Sequence, residues 1–478
     1  MDFDITKAHC KFFDDICKIP HGSKNEKELS DYLVDFAKTR NLRYIQDELW
    51  NVIIYKDATV GYETAKPLMI QAHIDMVCEK NKSSSHDFEK DALELIVEDG
   101  ILKANGTTLG ADDGVGVAYM LAILADDSLV HPPLECVFTT QEEIGLIGAI
   151  ALKPEYINAR RMISLDGGGE TNTMLSSAGG CRVVVTKKMI YEDNTDATYH
   201  LAVRGLSGGH SGGEIHKEKG NANKLMARLI KEAMIAKNDI RLVSINGGLK
   251  DNAIPRECDA IIASKVGKEK LAKAFNKTAG DIKGELEFSD AGFYIEFDEV
   301  AKVTQCMDKT TTDEIINFIY LVPNGFRARS MAIEGLTLTS LNLGVITTEC
   351  DTINCYFAIR SAIESAVDDL VNQVTTVATL ASASYVIDSR YPGWNYSPES
   401  ELRDIMQKCV HEQYGKDLDL IAAHGGCECG VFKAMHPDMD IIMVGPVSKY
   451  IHTPDEQLDL ASFDRAYALL TSIVTGSL

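Results

Sequence analysis

Residues 67–81, Pro-Leu-Met-Ile-Gln-Ala-His-Ile-Asp-Met-Val-Cys-Glu-Lys-Asn, constrain the fold more than any other stretch of the chain. Leu68, Met69 and Ile70 run together, with Ile74, Met76 and Val77 beyond them. A short apolar run of this kind reads as a strand in a sheet covered on both faces. His73 and Asp75 are set into it. Side chains two apart on a strand point the same way, so the imidazole and the carboxylate share a face. Either group is costly at the end of a buried strand unless it has a partner. A carboxylate beside an imidazole prepares a metal ligand; a core histidine satisfied by its own aspartate is the other reading of this stretch alone.

The pattern recurs. Leu134 to Thr139 is a second apolar strand, ending in Gln141-Glu142-Glu143. Met162 to Leu165 is a third, ending in Asp166-Gly-Gly-Gly169. Helical segments lie between them, and α/β sheets bind ligands at the carboxyl ends of their strands. One shared site is therefore expected. Gly106-Thr-Thr-Leu-Gly-Ala-Asp-Asp-Gly-Val-Gly116 precedes an apolar helix through about Leu124. It lacks the Lys-Ser/Thr pair of a phosphate loop, and two aspartates repel phosphate. Asp112 and Asp113 remain as cation ligands or as helix-start residues.

At 478 residues the chain is too long for one ordinary domain and suggests two or three. An amphipathic helix is expected over 24–40, a strand over 51–55 and a surface loop over 80–90. After about Cys181 the strands become more amphipathic, and a second α/β domain is expected. It includes a strand at 197–206, the Leu206–Gly213 loop, a helix near 221–237 and strands at 241–246 and 258–264. Arg390-Tyr-Pro-Gly-Trp394 reads as the hinge back to the first domain. A helix at about 400–414, the His424–Gly430 turn, a strand at 441–445, the Gly445–Glu456 loop and a last helix follow. The expected domains are 1–180 and 394–478 together, with 181–393 between them.

A formal net charge of −23 argues against a nucleic-acid partner, since phosphate binding needs a basic face. Twelve cysteines without framework spacing read as reduced thiols. The start of the chain lacks the pattern of a signal peptide, and no apolar run approaches the roughly 20 residues that span a bilayer. A cytoplasmic protein without a membrane partner is expected.

His73, Asp112, Glu143, Asp166 and His452 give two imidazoles and three carboxylates, a set suited to two zinc-like divalent ions. Such ions turn water into a nucleophile near neutral pH. Glu142, beside Glu143, is placed to take its proton, and Asp75 would support His73. A serine nucleophile is the competing chemistry, because Gly205-Leu-Ser207-Gly-Gly209 and Gly209-His-Ser211-Gly-Gly213 both fit Gly-x-Ser-x-Gly. That elbow requires its helix to start at the serine, and here the helix is expected about ten residues later.

Taken together, His73-Ile-Asp75, Gly110-Ala-Asp112, Glu142-Glu143, Asp166-Gly and His452-Thr-Pro resemble the co-catalytic di-zinc metallopeptidases of the aminoacylase and carboxypeptidase type. The finer likeness is to the bacterial aminoacyl-histidine dipeptidases. It rests on Gln71–Asn81, Thr108-Leu-Gly-Ala-Asp112, Gly205-Leu-Ser-Gly-Gly-His210-Ser-Gly and the turn at 424–432. The resemblance implies a three-layer α/β/α catalytic domain with an inserted α+β lid or dimerisation domain. It implies that Asp112 bridges two ions, with His73 and Asp166 completing one shell and Glu143 and His452 the other. Glu142 would be the general base and Asp75 the residue that orients His73. His210 would steady the oxyanion, either within its own chain or across a dimer interface. Asn252 and Arg360 would hold the substrate carbonyl and terminal carboxylate, and Gly426 would shape the pocket floor. The implied activity is hydrolysis of unblocked dipeptides, Xaa-His included, with zinc, manganese or cobalt. Rivals are an N-acyl-amino-acid hydrolase on the same fold and a catalytically dead dimeric binding protein. Two departures stand out: Asp113 replaces a common Asn and adds negative charge, and Cys427 places a thiol where an apolar residue is common.

Overall fold

A computed structural model describes residues 3–478, which divide into two compact units. The first runs through Ser176 and resumes at Trp394–Ala422 and Cys427–Leu478; the second comprises Ser177–Gly393 and Ala423–Gly426.

The first unit is built on a six-stranded mixed sheet in the order Arg43–Gln46, Val52–Lys56, Leu134–Thr139, Leu68–His73, Arg161–Ser164, Asp440–Met443. The last four strands are parallel, and the first two form an antiparallel edge. Every residue of Leu68–His73 and Leu134–Thr139 is buried, as a sheet covered on both faces requires. On one face, Ile70, Ala72 and Phe138 share a core with Phe13, Leu29, Tyr119, Phe463 and Leu469 from four helices. Towards the other face, Gln71 reaches Glu428 at the start of the helix Glu428–Met435. These are the three layers of an α/β/α sandwich.

The helix Ala111–Ala125 is apolar along nearly its whole length and buried to match, so it belongs inside the unit. Gly116 lets it approach the sheet. A Cβ there would lie 2.7 Å from the Cβ of Leu165 and 2.9 Å from that of Ala72.

The second unit carries a nine-stranded sheet in which every pairing is antiparallel. It is α+β, and the α/β texture read from its alternating segments is corrected accordingly. Helix–strand alternation along the chain does not distinguish a parallel crossover from a return into an antiparallel sheet. The helices Ala222–Ile235, Lys268–Glu285, Lys309–Leu321 and Glu364–Leu380 join the strands in one core through Met226, Phe275, Ile316 and Val374. Asn221 and Asp308 cap two of these helices, accepting the N–H of Lys224 and of Thr311. No disulfide forms, and no helix is long and apolar enough to cross a membrane, among the described residues.

Candidate metal centre

Three parallel strands deliver the site at their carboxyl ends. His73 closes Leu68–His73, Glu142 and Glu143 follow Leu134–Thr139, and Asp166 follows Arg161–Ser164. Asp112 stands at the opening of Ala111–Ala125, and His452 lies in the turn between Ser448–Lys449 and Gln457–Asp459. All five predicted ligands and Glu142 meet here. His73, Asp112 and Asp166 place ligand atoms within 4.8 Å of one another; so do Asp112, Glu143 and His452, and so do His73, Glu142 and Glu143.

Asp112 is the centre of this geometry. Its Oδ1 lies 3.0 Å from His73 Nε2 and its Oδ2 lies 3.1 Å from His452 Nε2. One carboxylate thus serves two imidazoles through separate oxygens. Glu143 Oε1 is buried, makes no well-aligned hydrogen bond and lies 3.0 Å from His452 Nε2.

The electrostatics show a site short of positive charge. Burial disfavours an imidazolium at His73, yet Asp112 and Asp75 outweigh it and hold the ring well above its usual range. Asp112 and Glu143 raise His452 to about 10. Burial, aided by Glu143, Asp112 and Asp75, pushes Glu142 up to about 7. Burial and Asp112 push Asp166 well above the carboxylate range. At His73, His452, Glu142 and Asp166 the shifts favour the protonated form where no cation is present, and a group that ligates a divalent ion must release its proton. The donor set, its clustering and the buried unaligned oxygen of Glu143 all fit divalent ions.

Asp75 and Asp113 are placed differently from the simplest reading. The strand ends at His73, so Asp75 does not continue its alternation. His73 Nδ1 lies 3.0 Å from the main-chain oxygen of Asp75, whereas the carboxylate is 3.6 Å away. That carboxylate instead accepts the N–H groups of Glu142 and Glu143 at 2.9 and 3.2 Å and the Ser23 hydroxyl at 2.7 Å. Asp113 accepts the N–H of Gly116 at 3.2 Å, the contact of a helix N-cap. The adjacent aspartates therefore divide the two roles considered for them: Asp112 faces the imidazoles and Asp113 starts the helix. Burial, then Asp112, pushes the Asp113 carboxyl well above its usual range.

The remaining predicted residues belong to the second unit. His210 Nδ1 accepts the N–H groups of Gly212 and Gly213 at 3.2 and 3.0 Å, which leaves the ring proton on Nε2. The Arg360 Nη1 donates to the Tyr391 hydroxyl at 3.3 Å, while its buried Nε has no partner among the described residues. Gly426 sits against the same tyrosine, where a Cβ would lie 2.6 Å from the ring. Asn252 gives its main-chain oxygen to the N–H of Ser211 at 2.9 Å. Ser207 donates to Asp290 at 2.7 Å, and the following α-helix begins only at Ala222, so neither serine stands on a nucleophile elbow.

Three residues escaped the sequence reading. Ser23 supports Asp75. Glu428 is buried beneath the strand ends, accepting Gln71 Nε2 at 2.5 Å and Thr139 Oγ1 at 2.7 Å. Glu456 receives backbone N–H groups ahead of Asp112. Ser23 and Glu428 carry no spacing signal, and Glu456 could be found only through its place in the His452-Thr-Pro-Asp-Glu456 loop.

A cluster of imidazoles and carboxylates at the carboxyl edge of a parallel sheet, with one carboxylate shared between two imidazoles, defines a metal-dependent hydrolase. Residues 69–476 match peptidase family M20/M25/M40, and the chain belongs to that family. It is a hydrolase acting on peptide bonds, and its centre is one for divalent metal ions. The chain is 36% identical over 465 residues to the cytosol non-specific dipeptidase of Escherichia coli (strain K12), covering 97% of this chain and 96% of that one. The crystal structure of aminoacylhistidine dipeptidase from Vibrio alginolyticus matches with a TM-score of 0.92 and 35% identity, over 98% of this chain and 96% of that one. Aminopeptidase PepT from Bacillus cereus shares the fold, with a TM-score of 0.57 at 15% identity and 98% of both chains covered.

Proposed function

We propose that the chain is a cytoplasmic dipeptidase that uses two divalent ions, most readily zinc, to hydrolyse unblocked dipeptides, Xaa-His peptides among them. The observation that carries this reading is the position of Asp112, whose two oxygens face two different imidazoles. His73 and Asp166 complete the set around one oxygen, and Glu143 and His452 the set around the other. The names of the two relatives that match over nearly the whole chain support the dipeptide substrate, and that of the Escherichia coli relative supports the cytoplasmic setting.

His73, Asp112, Asp166, Glu143 and His452 would hold the ions, which would supply Lewis acidity for the scissile carbonyl and for water near neutral pH. Glu142 is the general base. Its position beside Glu143, within the same cluster as His73, suits a group that takes a proton and gives it back. It accepts the proton of the attacking water and returns it to the leaving amine as the C–N bond breaks. Asp75 fixes Glu142 by accepting its main-chain N–H, and supports His73 through its own carbonyl.

His210 carries its proton on Nε2, so the neutral ring can donate to the developing oxyanion. The Arg360 guanidinium, with a buried N–H free of protein partners, suits the terminal carboxylate of a short peptide. Asn252 is assigned to the substrate carbonyl and Gly426 to the pocket floor. The second unit is assigned as lid and dimerisation domain.

The test is turnover of a dipeptide panel, Xaa-His and N-acyl analogues included, before and after metal stripping and return of zinc or manganese. Loss and recovery of dipeptide hydrolysis, with two ions bound per chain, is the expected result. Turnover of N-acyl amino acids alone, or turnover insensitive to chelation, would overturn the reading.

A further inference from the structure

Glu456 has no place in the ligand set, yet it is 3% exposed and fully engaged. Its Oε2 accepts the N–H groups of Leu109 at 2.7 Å and Gly110 at 3.1 Å. Its Oε1 accepts those of Ala111 at 2.9 Å and Asp112 at 3.4 Å. Four consecutive backbone donors, from Leu109 to Asp112, therefore converge on one carboxylate. They precede the regular part of the helix, and buried backbone donors left without a partner are costly. The chain reverses here through Gly110, whose φ of +67° belongs to the left-handed region. The shape of this turn decides where the Asp112 carboxylate points.

The other end of Glu456 is anchored in the turn that carries His452. Its own N–H donates to Thr453 O at 3.1 Å, one residue beyond His452. The Glu456 carboxylate grips the backbone of one segment while its own backbone belongs to the other. Imidazole and shared carboxylate come from residues 340 apart in sequence, and Nε2 must meet Oδ2 at 3.1 Å.

We propose that Glu456 is a positioning residue that locks the Asp112 turn to the His452 turn and thereby sets the affinity for both ions. The inference rests on the reading that Asp112 is shared between two ions. It distinguishes Glu456 from an ordinary helix-capping carboxylate, which would contribute to folding alone. Glutamine at this position replaces one oxygen by an NH2 group, which faces two N–H donors with a donor. Aspartate keeps the charge but is too short to reach all four.

The experiment is calorimetric titration of metal-stripped wild type, Glu456→Gln, Glu456→Asp and His452→Ala with zinc. It is paired with the visible spectrum of the cobalt-loaded proteins and thermal unfolding of the metal-free ones. Wild type is expected to bind two ions. Glu456→Gln should weaken both binding events by about 10–100-fold, the range for groups that support metal ligands, with an altered cobalt spectrum. Glu456→Asp should fall between them and serves as the reporter if Glu456→Gln does not fold. His452→Ala should weaken one event much more than the other. Lower thermal stability of the Glu456 variants with wild-type affinity at both sites would overturn the proposal. A wild type that binds a single ion would overturn the shared-carboxylate reading, and the proposal with it.

Discussion

Ser23 donates its hydroxyl to Asp75 Oδ2 at 2.7 Å, and the same carboxylate accepts the N–H groups of Glu142 and Glu143. A serine near the start of the chain thus steadies the turn that presents Glu142, the proposed general base. Burial would raise Asp75, but His73, Ser23 and the Glu142 N–H outweigh it, and the carboxyl stays below its usual range. A hydrogen bond to a charged group contributes about 1.5–3 kcal/mol. Ser23→Ala should therefore lower kcat/KM about 10–100-fold with metal content unchanged. Steady-state kinetics beside metal analysis checks this; an unchanged kcat/KM would remove Ser23 from the machinery.

Glu142→Gln should keep its ions and lose turnover. Loss of a general base costs about 10²–10⁴-fold in rate. Since Glu142 is not assigned as a ligand, two zinc ions should remain after dialysis. Loss of an ion together with activity would reassign the residue as a ligand.

His210→Ala should lower kcat by about 10²–10³-fold with little change in KM, the signature of an oxyanion donor. The Nδ1 contacts with Gly212 and Gly213 hold the ring in place, so a substitution that kept those contacts but lost the Nε2 proton would be equally harmful. A rise in KM at constant kcat would instead assign His210 to ground-state binding.

His424 should make the second unit acid-sensitive. Its Nε2 meets Ser340 Oγ at 2.7 Å, and burial, with Arg360 and His210 nearby, lowers the ring to about 3. Below the ordinary histidine range of about 6.5, an unfolded chain takes up a proton that the folded ring refuses. The contribution of neutral His424 is complete above pH 6.5 and is lost progressively as pH falls towards 3. In metal-free protein, hydrogen exchange of the residues around Ser340 should quicken over that window, and His424→Gln should flatten the dependence. Equal pH profiles for the two proteins would contradict the assignment.

Much of the first unit was legible in the sequence because its signals are local. The uninterrupted apolar runs at 68–73 and 134–139 describe strands buried on both faces, and the acidic or imidazole residue after each marks a strand end. The helix expected at 24–40 forms over Lys27–Thr39, and that near 400–414 over Glu401–Tyr414. The antiparallel order of the second unit was not legible, because strand direction depends on where a chain returns and not on the composition of the strand.

The sequence by itself determined the chemistry available: two imidazoles, the acidic strand ends and the glycine-bounded aspartate pair, each identified by residue type and spacing. Only the tertiary structure decided which atom meets which. It turned Asp112 towards the imidazoles and Asp113 towards the helix. It gave His73 the carbonyl of Asp75 while the carboxylate went to the Glu142–Glu143 turn, and it wrapped four backbone donors around Glu456. Backbone N–H and C=O groups are the same at every residue but proline, so their partners leave no mark in the sequence. They are assigned only when distant segments pack and each buried donor must find an acceptor.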